Sequence, residues 1–233
     1  GITLSQVNTS SITSNTIKNI STATTNGAGI LTDNSSGLLI SKNVIDGIIG
    51  NASSTYYTRA IWLNTNTINS TVSSNVMNNI KYINTGNWGS YGLECSSGLQ
   101  TTNSVIINNM ISNVAHDYGG GAGSTFAGYG IRINGSGGIQ VIHNTVLLRG
   151  TNGTPASGTN NSHAFACIGT AQNMDVRNNI FSNRMYGSSG SKSWCVYATS
   201  SATFTNFDYN ILDTAGNTLQ GVLGYYGGDL VTI

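Results

Sequence analysis

The stretch ISKNVIDGI (residues 40–48) decides the fold, because it returns as VSSNVMNNI (72–80), IINNMISNV (106–114), VIHNTVLLR (141–149) and VRNNIFSNR (176–184). Its skeleton is an apolar residue, two mostly polar ones, an Asn, any residue, and a second apolar one. Seven copies run down the chain: Ile12–Asn15–Ile17, Ile40–Asn43–Ile45, Val72–Asn75–Met77, Ile106–Asn109–Ile111, Val141–Asn144–Val146, Val176–Asn179–Phe181 and Phe207–Asn210–Leu212. The Asn positions step by 28, 32, 34, 35, 35 and 31 residues. A period of that size marks a repeat array with one structural unit per step.

A second pattern runs in phase with the first: a small residue followed by an alternating strand. It reads Gly29-Ile30-Leu31, Ala60-Ile61-Trp62-Leu63, Gly92-Leu93-Glu94-Cys95, Gly130-Ile131-Arg132-Ile133, Ala164-Phe165-Ala166-Cys167, Cys195-Val196-Tyr197-Ala198 and Gly221-Val222-Leu223. Each unit therefore carries at least two short strands, separated by segments rich in Gly, Ser, Thr and Asn. No stretch shows sustained apolar spacing of three and four, so helix is expected to be nearly absent.

A coil of such strands cannot bury its apolar residues alone, but does so by stacking in parallel on its neighbours. An Asn at one place per coil suits that stack. Side-chain amides hydrogen-bond from rung to rung, and Asn tolerates the left-handed backbone of a tight turn. The expectation is an all-β, right-handed parallel β-helix of about seven coils, about 30 Å long at ~4.8 Å per rung, with Asn15, Asn43, Asn75, Asn109, Asn144, Asn179 and Asn210 as its ladder. The five nine-residue stretches above resemble the repeats of right-handed parallel β-helix proteins with the pectate-lyase-like fold. The charge-poor, Ser/Thr/Asn/Gly-rich texture is also similar to repeat regions of large secreted surface proteins of Bacteroidetes, which implies export by the type IX route.

Only 7% of the residues are charged and the formal net charge is +1, which removes the basic field of a nucleic-acid binder. With 38% hydrophobic residues spread evenly over 233, one solenoid domain spanning 1–233 is the economical reading. No apolar run is long enough to insert in a bilayer. The chain opens on a strand-like GITLSQV and ends on GGDLVTI with no covering helix, which suggests a piece of a longer protein. Cys95 and Cys167 fall at one strand position two coils apart, about 10 Å at ~4.8 Å per rung, beyond disulfide reach. Together with Cys195 they read as buried free thiols.

Outward residues at one strand position form a vertical column, and the second pattern yields Leu31, Trp62, Glu94, Arg132, Ala166 and Tyr197. Trp62 and Tyr197 offer faces on which sugar rings stack, and Arg132 beside Glu94 offers a uronate contact or a proton-transfer pair. The bland alternative is a cross-strand ion pair on a solvated face. The segments 116–129 and 149–163 lengthen the loops ahead of this strand, and such loops wall binding grooves. His116, Asp117, Tyr118 and His163 would lie on that wall, where a His/Asp/Tyr/Arg cluster could abstract a proton α to a uronate carboxyl group.

Against catalysis, the eight acidic residues are scattered, with neither the carboxylate cluster calcium needs nor the acid pair of a glycosidase. No metal and no cofactor is therefore expected. His143, beside Asn144, reads as a solvated turn residue, and GGGAG at 119–123 lacks the Lys and Ser/Thr of a phosphate loop. Outward Thr pairs fall at different phases, which disfavours ice binding. The sequence points first to a non-catalytic β-helix segment of a secreted or cell-surface protein, an adhesin, stalk or passenger whose partners are a polysaccharide or cell-surface glycan, secretion machinery or flanking domains. The alternatives are a polysaccharide lyase or hydrolase using Glu94, Arg132, His116, Asp117 or His163, and a carbohydrate-binding module using Trp62, Tyr197, Arg132 and Tyr118.

Overall fold

The computed structural model describes residues 1–51, 56–83, 88–116, 127–153, 159–199, 201–214 and 220–230. Among them there is no helix, and the strands assemble into three sheets. The first stacks Ile2–Ser5, Gly27–Asp33, Thr58–Leu63, Ser90–Cys95, Gly128–Asn134, Ser162–Ile168, Ser193–Ala198 and Gly221–Tyr226 in parallel, with Asp229–Leu230 added antiparallel at its end. The second runs from Ser11–Thr13 to Phe204–Asp208 and the third from Thr16–Thr22 to Ile211–Asp213, each of seven parallel strands. Six full turns therefore separate the first and last strands of these two sheets. The chain is a parallel β-helix, as the repeat predicted.

Both apolar columns of the repeat point into the core. Ile12, Ile40, Val72, Ile106, Val141 and Val176 are buried one above another on the second sheet, as are Ile45, Met77, Ile111, Val146 and Phe181 on the third. The first sheet adds Ile30, Ile61, Leu93, Ile131, Phe165 and Val196 to the same cluster. Cys95, Cys167 and Cys195 are free and buried, Cys95 and Cys167 both facing Ile133 from either side. Burial pushes the Cys95 thiol up to about 11 and the Cys195 thiol up to about 12.

The ladder occupies the corner between the second and third sheets. Asn109 shows its chemistry. Its Oδ1 accepts from both the backbone N–H and the Nδ2 of Asn75, at 3.0 and 2.9 Å. Its own Nδ2 donates to Asn144 Oδ1 at 3.0 Å and to the Val72 carbonyl at 2.9 Å. The same bonds link Asn15 to Asn43, Asn43 to Asn75, Asn144 to Asn179 and Asn179 to Asn210.

One expectation is corrected here. The left-handed residue of this corner is not the ladder Asn but the one before it: Ser14, Lys42, Ser74, Asn108, His143, Asn178 and Tyr209 all have φ between 53° and 58°. The ladder residue must keep extended backbone so that its N–H points at the next rung. His143 is exposed at that turn, as expected. A second left-handed column, Thr9, Gly37, Asn69, Asn103, Gly138 and Asn173, turns the chain into the second sheet. Asn and Gly dominate there because they alone carry little penalty in that conformation.

Asn109→Ala strands a buried backbone N–H of Asn75 and takes one partner each from the Asn75 amide and the Val72 carbonyl, so we expect a loss of about 2 kcal/mol in urea unfolding. Thr13→Ala, on the exposed side of the neighbouring strand, should stay within ~0.5 kcal/mol of the parent. Equal midpoints for the two variants would remove the ladder from the account of stability.

Candidate functional site

The expected column forms in the expected register. Leu31, Trp62, Glu94, Arg132, Ala166 and Tyr197 pair successively across the first sheet, and Tyr225 continues it. Alternation puts it outside, because Leu93 and Cys95 on either side of Glu94, and Ile131 and Ile133 on either side of Arg132, belong to the core.

The small residue of the pattern has a separate role. The pairings skip Gly29, Ala60, Gly92, Gly130, Ala164 and Cys195. A Cβ on Gly92 would lie 2.4 Å from Ile111 Cγ2 and 2.6 Å from the Gly130 carbonyl oxygen, and one on Gly130 would lie 2.2 Å from Val146 Cγ1. The backbone is pressed against the third sheet at this point and the alternation slips by one. The residue before the small one, Ala28, Arg59, Tyr91, Tyr129, His163 or Trp194, consequently forms a second column beside the first. Sequence reasoning missed these residues by assuming strict alternation, although a long or aromatic residue ahead of the small one in five successive coils was a readable signal.

At the centre, Arg59 Nε and Arg132 Nη1 each donate to a different oxygen of Glu94. This is no solvated pair. Glu94 is 1% exposed, Arg59 4% and Arg132 7%. The Arg59 guanidinium lies 3.7 Å from the centre of the Trp62 ring, and Arg132 lies 5.0 Å from that of Tyr91. Aromatic contacts continue from this triad in both directions. Tyr57 stacks on Tyr91 at 5.3 Å, Tyr91 meets Tyr129 edge-on at 5.1 Å, and His163 lies flat between Tyr129 and Trp194 at 4.6 and 4.8 Å. Tyr197 stacks on Tyr225 at 4.5 Å. Tyr91 and Tyr129 are fully buried, while Tyr57, Trp62, Tyr197 and Tyr225 keep part of their surface in solvent.

The remaining candidates do not meet on a groove wall. His163 sits inside the ring stack and His116 ends a third-sheet strand beside Tyr82; both are fully buried. None of their four ring nitrogens has a hydrogen-bond partner among the described residues. Burial therefore holds both imidazoles neutral, lowering His116 to about 4 and, helped by the positive charge of Arg132, His163 to about 3. Asp117 and Tyr118 lie outside the described residues. Trp62 and Tyr197 lie on either side of the triad, with one face of Trp62 covered by Arg59 and its Nε1 bonded to Ser96 at 2.8 Å. Chemically, a general base needs a lone pair that substrate can reach. Both Glu94 oxygens are engaged and sealed, so the triad acts as a buried electrostatic clasp across three coils.

Two outcomes follow. Glu94→Gln leaves Arg59 and Arg132 buried without a counter-charge and should cost about 3–5 kcal/mol; Asp175→Asn, on the half-exposed pair with Arg177, should barely move the urea midpoint. The histidines also set an acid limit. Their native values lie below the 6.5 of the unfolded chain, so between about pH 6.5 and pH 4 the unfolded state binds more protons and stability falls as pH falls. The full contribution is present above that window, and about 3 kcal/mol per histidine is lost by about pH 4. His163→Phe should flatten the dependence; an unchanged slope between pH 7 and 4 would mean His163 is not buried neutral.

No family model, no curated protein and no solved structure matches this chain.

Proposed function

We propose that the chain is a non-catalytic β-helix segment of a secreted or cell-surface protein, serving as stalk, adhesin or passenger. One observation carries this reading: the described candidates for chemistry, Glu94, Arg132, His116 and His163, are locked into the rod. Glu94 is clasped by two arginines at 1% exposure, and His116 and His163 are neutral and fully buried. A structural use accounts for their placement, since Glu94 ties its coil to those of Arg59 and Arg132, and His163 stacks between Tyr129 and Trp194. The low charge and the even spread of the core suit an extended spacer. Kinship with pectate-lyase-like repeats, and with Bacteroidetes surface proteins exported by the type IX route, is the finer form of the proposal, resting on the repeat stretches and their texture.

A carbohydrate-binding role is the second reading, and the partly exposed rings of Tyr57, Trp62, Tyr197 and Tyr225 along one side of the rod favour it, since aromatic side chains suit sugar contacts. Incubation with uronate-containing and neutral glycans should yield neither unsaturated products nor new reducing ends; turnover that Glu94→Gln abolishes, in protein that remains folded, would replace the structural reading with a lyase or hydrolase. Affinity electrophoresis in the same glycans separates the other two. Retardation lost in Trp62→Ala establishes the binding module, and unretarded parent protein leaves the spacer.

A further inference from the structure

The residue immediately after each ladder Asn faces outward, and in five of the seven coils it is apolar, where an exposed strand position is usually polar. Thr16, Val44, Val76, Met110, Thr145, Ile180 and Ile211 pair in succession across the third sheet. Val44 is 37% exposed, Val76 38%, Met110 54%, Ile180 40% and Ile211 59%. The result is a straight, mainly apolar ridge that opens on Thr16 and is interrupted at Thr145, six rungs or about 29 Å at ~4.8 Å each. On the other side of the ladder corner the column in register reads Thr13, Ser41, Ser73, Ile107, Ile142, Arg177 and Asp208, polar or charged in five of its seven coils.

We infer that this ridge is a self-association surface, covered by the ridge of a second copy in a parallel two-fold pair. Three features select that occupant. A two-fold axis along the rod sets each rung against its own equivalent, so all five apolar residues meet their like and Thr16 and Thr145 meet threonines; an antiparallel pair would set Val76 and Ile211 against threonines. The flanks are complementary in the same arrangement. Lys42 and Asp46 stand on either side of Val44 on one rung, so Lys42 faces the partner's Asp46 twice in an isologous interface. Lys42 is exposed, and Asp46 is held in place by the amides of Asn78 and Asn79 at 3.1 and 2.7 Å. Finally, a net charge of +1 gives two copies no field to keep them apart. A strip about 29 Å by 15 Å buries about 900 Å² over both partners, below the ~1,200 Å² of stable complexes, so the pair is a weak, concentration-dependent one.

Sedimentation equilibrium of the chain from about 1 μM to about 500 μM should show the mean mass rising from 24.3 kDa towards twice that value. Met110→Lys, at an exposed position that leaves folding intact by its urea midpoint, should weaken association at least tenfold. Orientation is read separately with Val44→Cys and Ile180→Cys. A parallel pair oxidises to a disulfide dimer in either single variant, whereas an antiparallel pair cross-links only when the two variants are mixed. A monomer at every concentration overturns the inference and leaves the ridge to a partner of another kind. Association that Met110→Lys does not weaken overturns it too, placing the contact on another face.

Discussion

One buried hydrogen-bond motif sets the geometry of everything else: a side-chain carbonyl that accepts twice from the rung before it. Because each ladder Oδ1 takes both the backbone N–H and the Nδ2 of the preceding Asn, the rise and the lateral position of each coil are fixed by the one before. The amide is self-complementary, donor and acceptor in one group, so a column of identical residues satisfies itself. Backbone polar groups at a corner that sheet pairing alone would leave incomplete find partners, at 1% exposure or less from Asn43 to Asn179.

The small-residue column is the counterpart of the ladder on the opposite side of the coil. There the first sheet is drawn so close to the third that Gly92 and Gly130 have no room for a Cβ without displacing a carbonyl oxygen and a core methyl. The half-twist this forces in the strand brings two adjacent columns to the outer face where one was expected. The ion triad and the ring stack both exist because of it. Arg59 and Glu94 lie at different positions of the repeat and meet only because the slip aligns them.

How far the sequence revealed this follows from what each feature depends on. The ladder and the core columns were legible because they are carried by residue type at fixed spacing, and stacking in register preserves that spacing. The Leu31–Trp62–Glu94–Arg132 column was legible for the same reason. The seat of the left-handed backbone, one residue ahead of each ladder Asn, was hidden because Ser14, Lys42, His143 and Tyr209 have no composition in common. The burial of Glu94 and Arg132 was equally hidden, since burial on an outer face is decided by what neighbouring coils place there. His163 alone looks like a loop histidine; only Tyr129 and Trp194 on the adjoining rungs make it a ring in a stack.

The scarcity of charge has the same origin. In a parallel stack, any position repeated from coil to coil stands about 4.8 Å from its equivalent, and two like charges at that separation cost about 1 kcal/mol even in water and several times more where water is excluded. A repeat can therefore multiply amides, hydroxyls and methyl groups but not carboxylates or ammonium groups. Where charges do occupy neighbouring rungs they alternate: Lys18 pairs in register with Asp46, Glu94 with Arg132, and Arg177 with Asp208. Among the described residues the one like pair in register, Arg149 with Arg184, is relieved by Asp213, which accepts from Arg184 at 2.8 and 3.1 Å. A chain limited to 7% charge by its own periodicity must meet water through Ser, Thr and Asn. On such a surface five outward apolar residues in one column stand out as a surface suited to contact with another molecule.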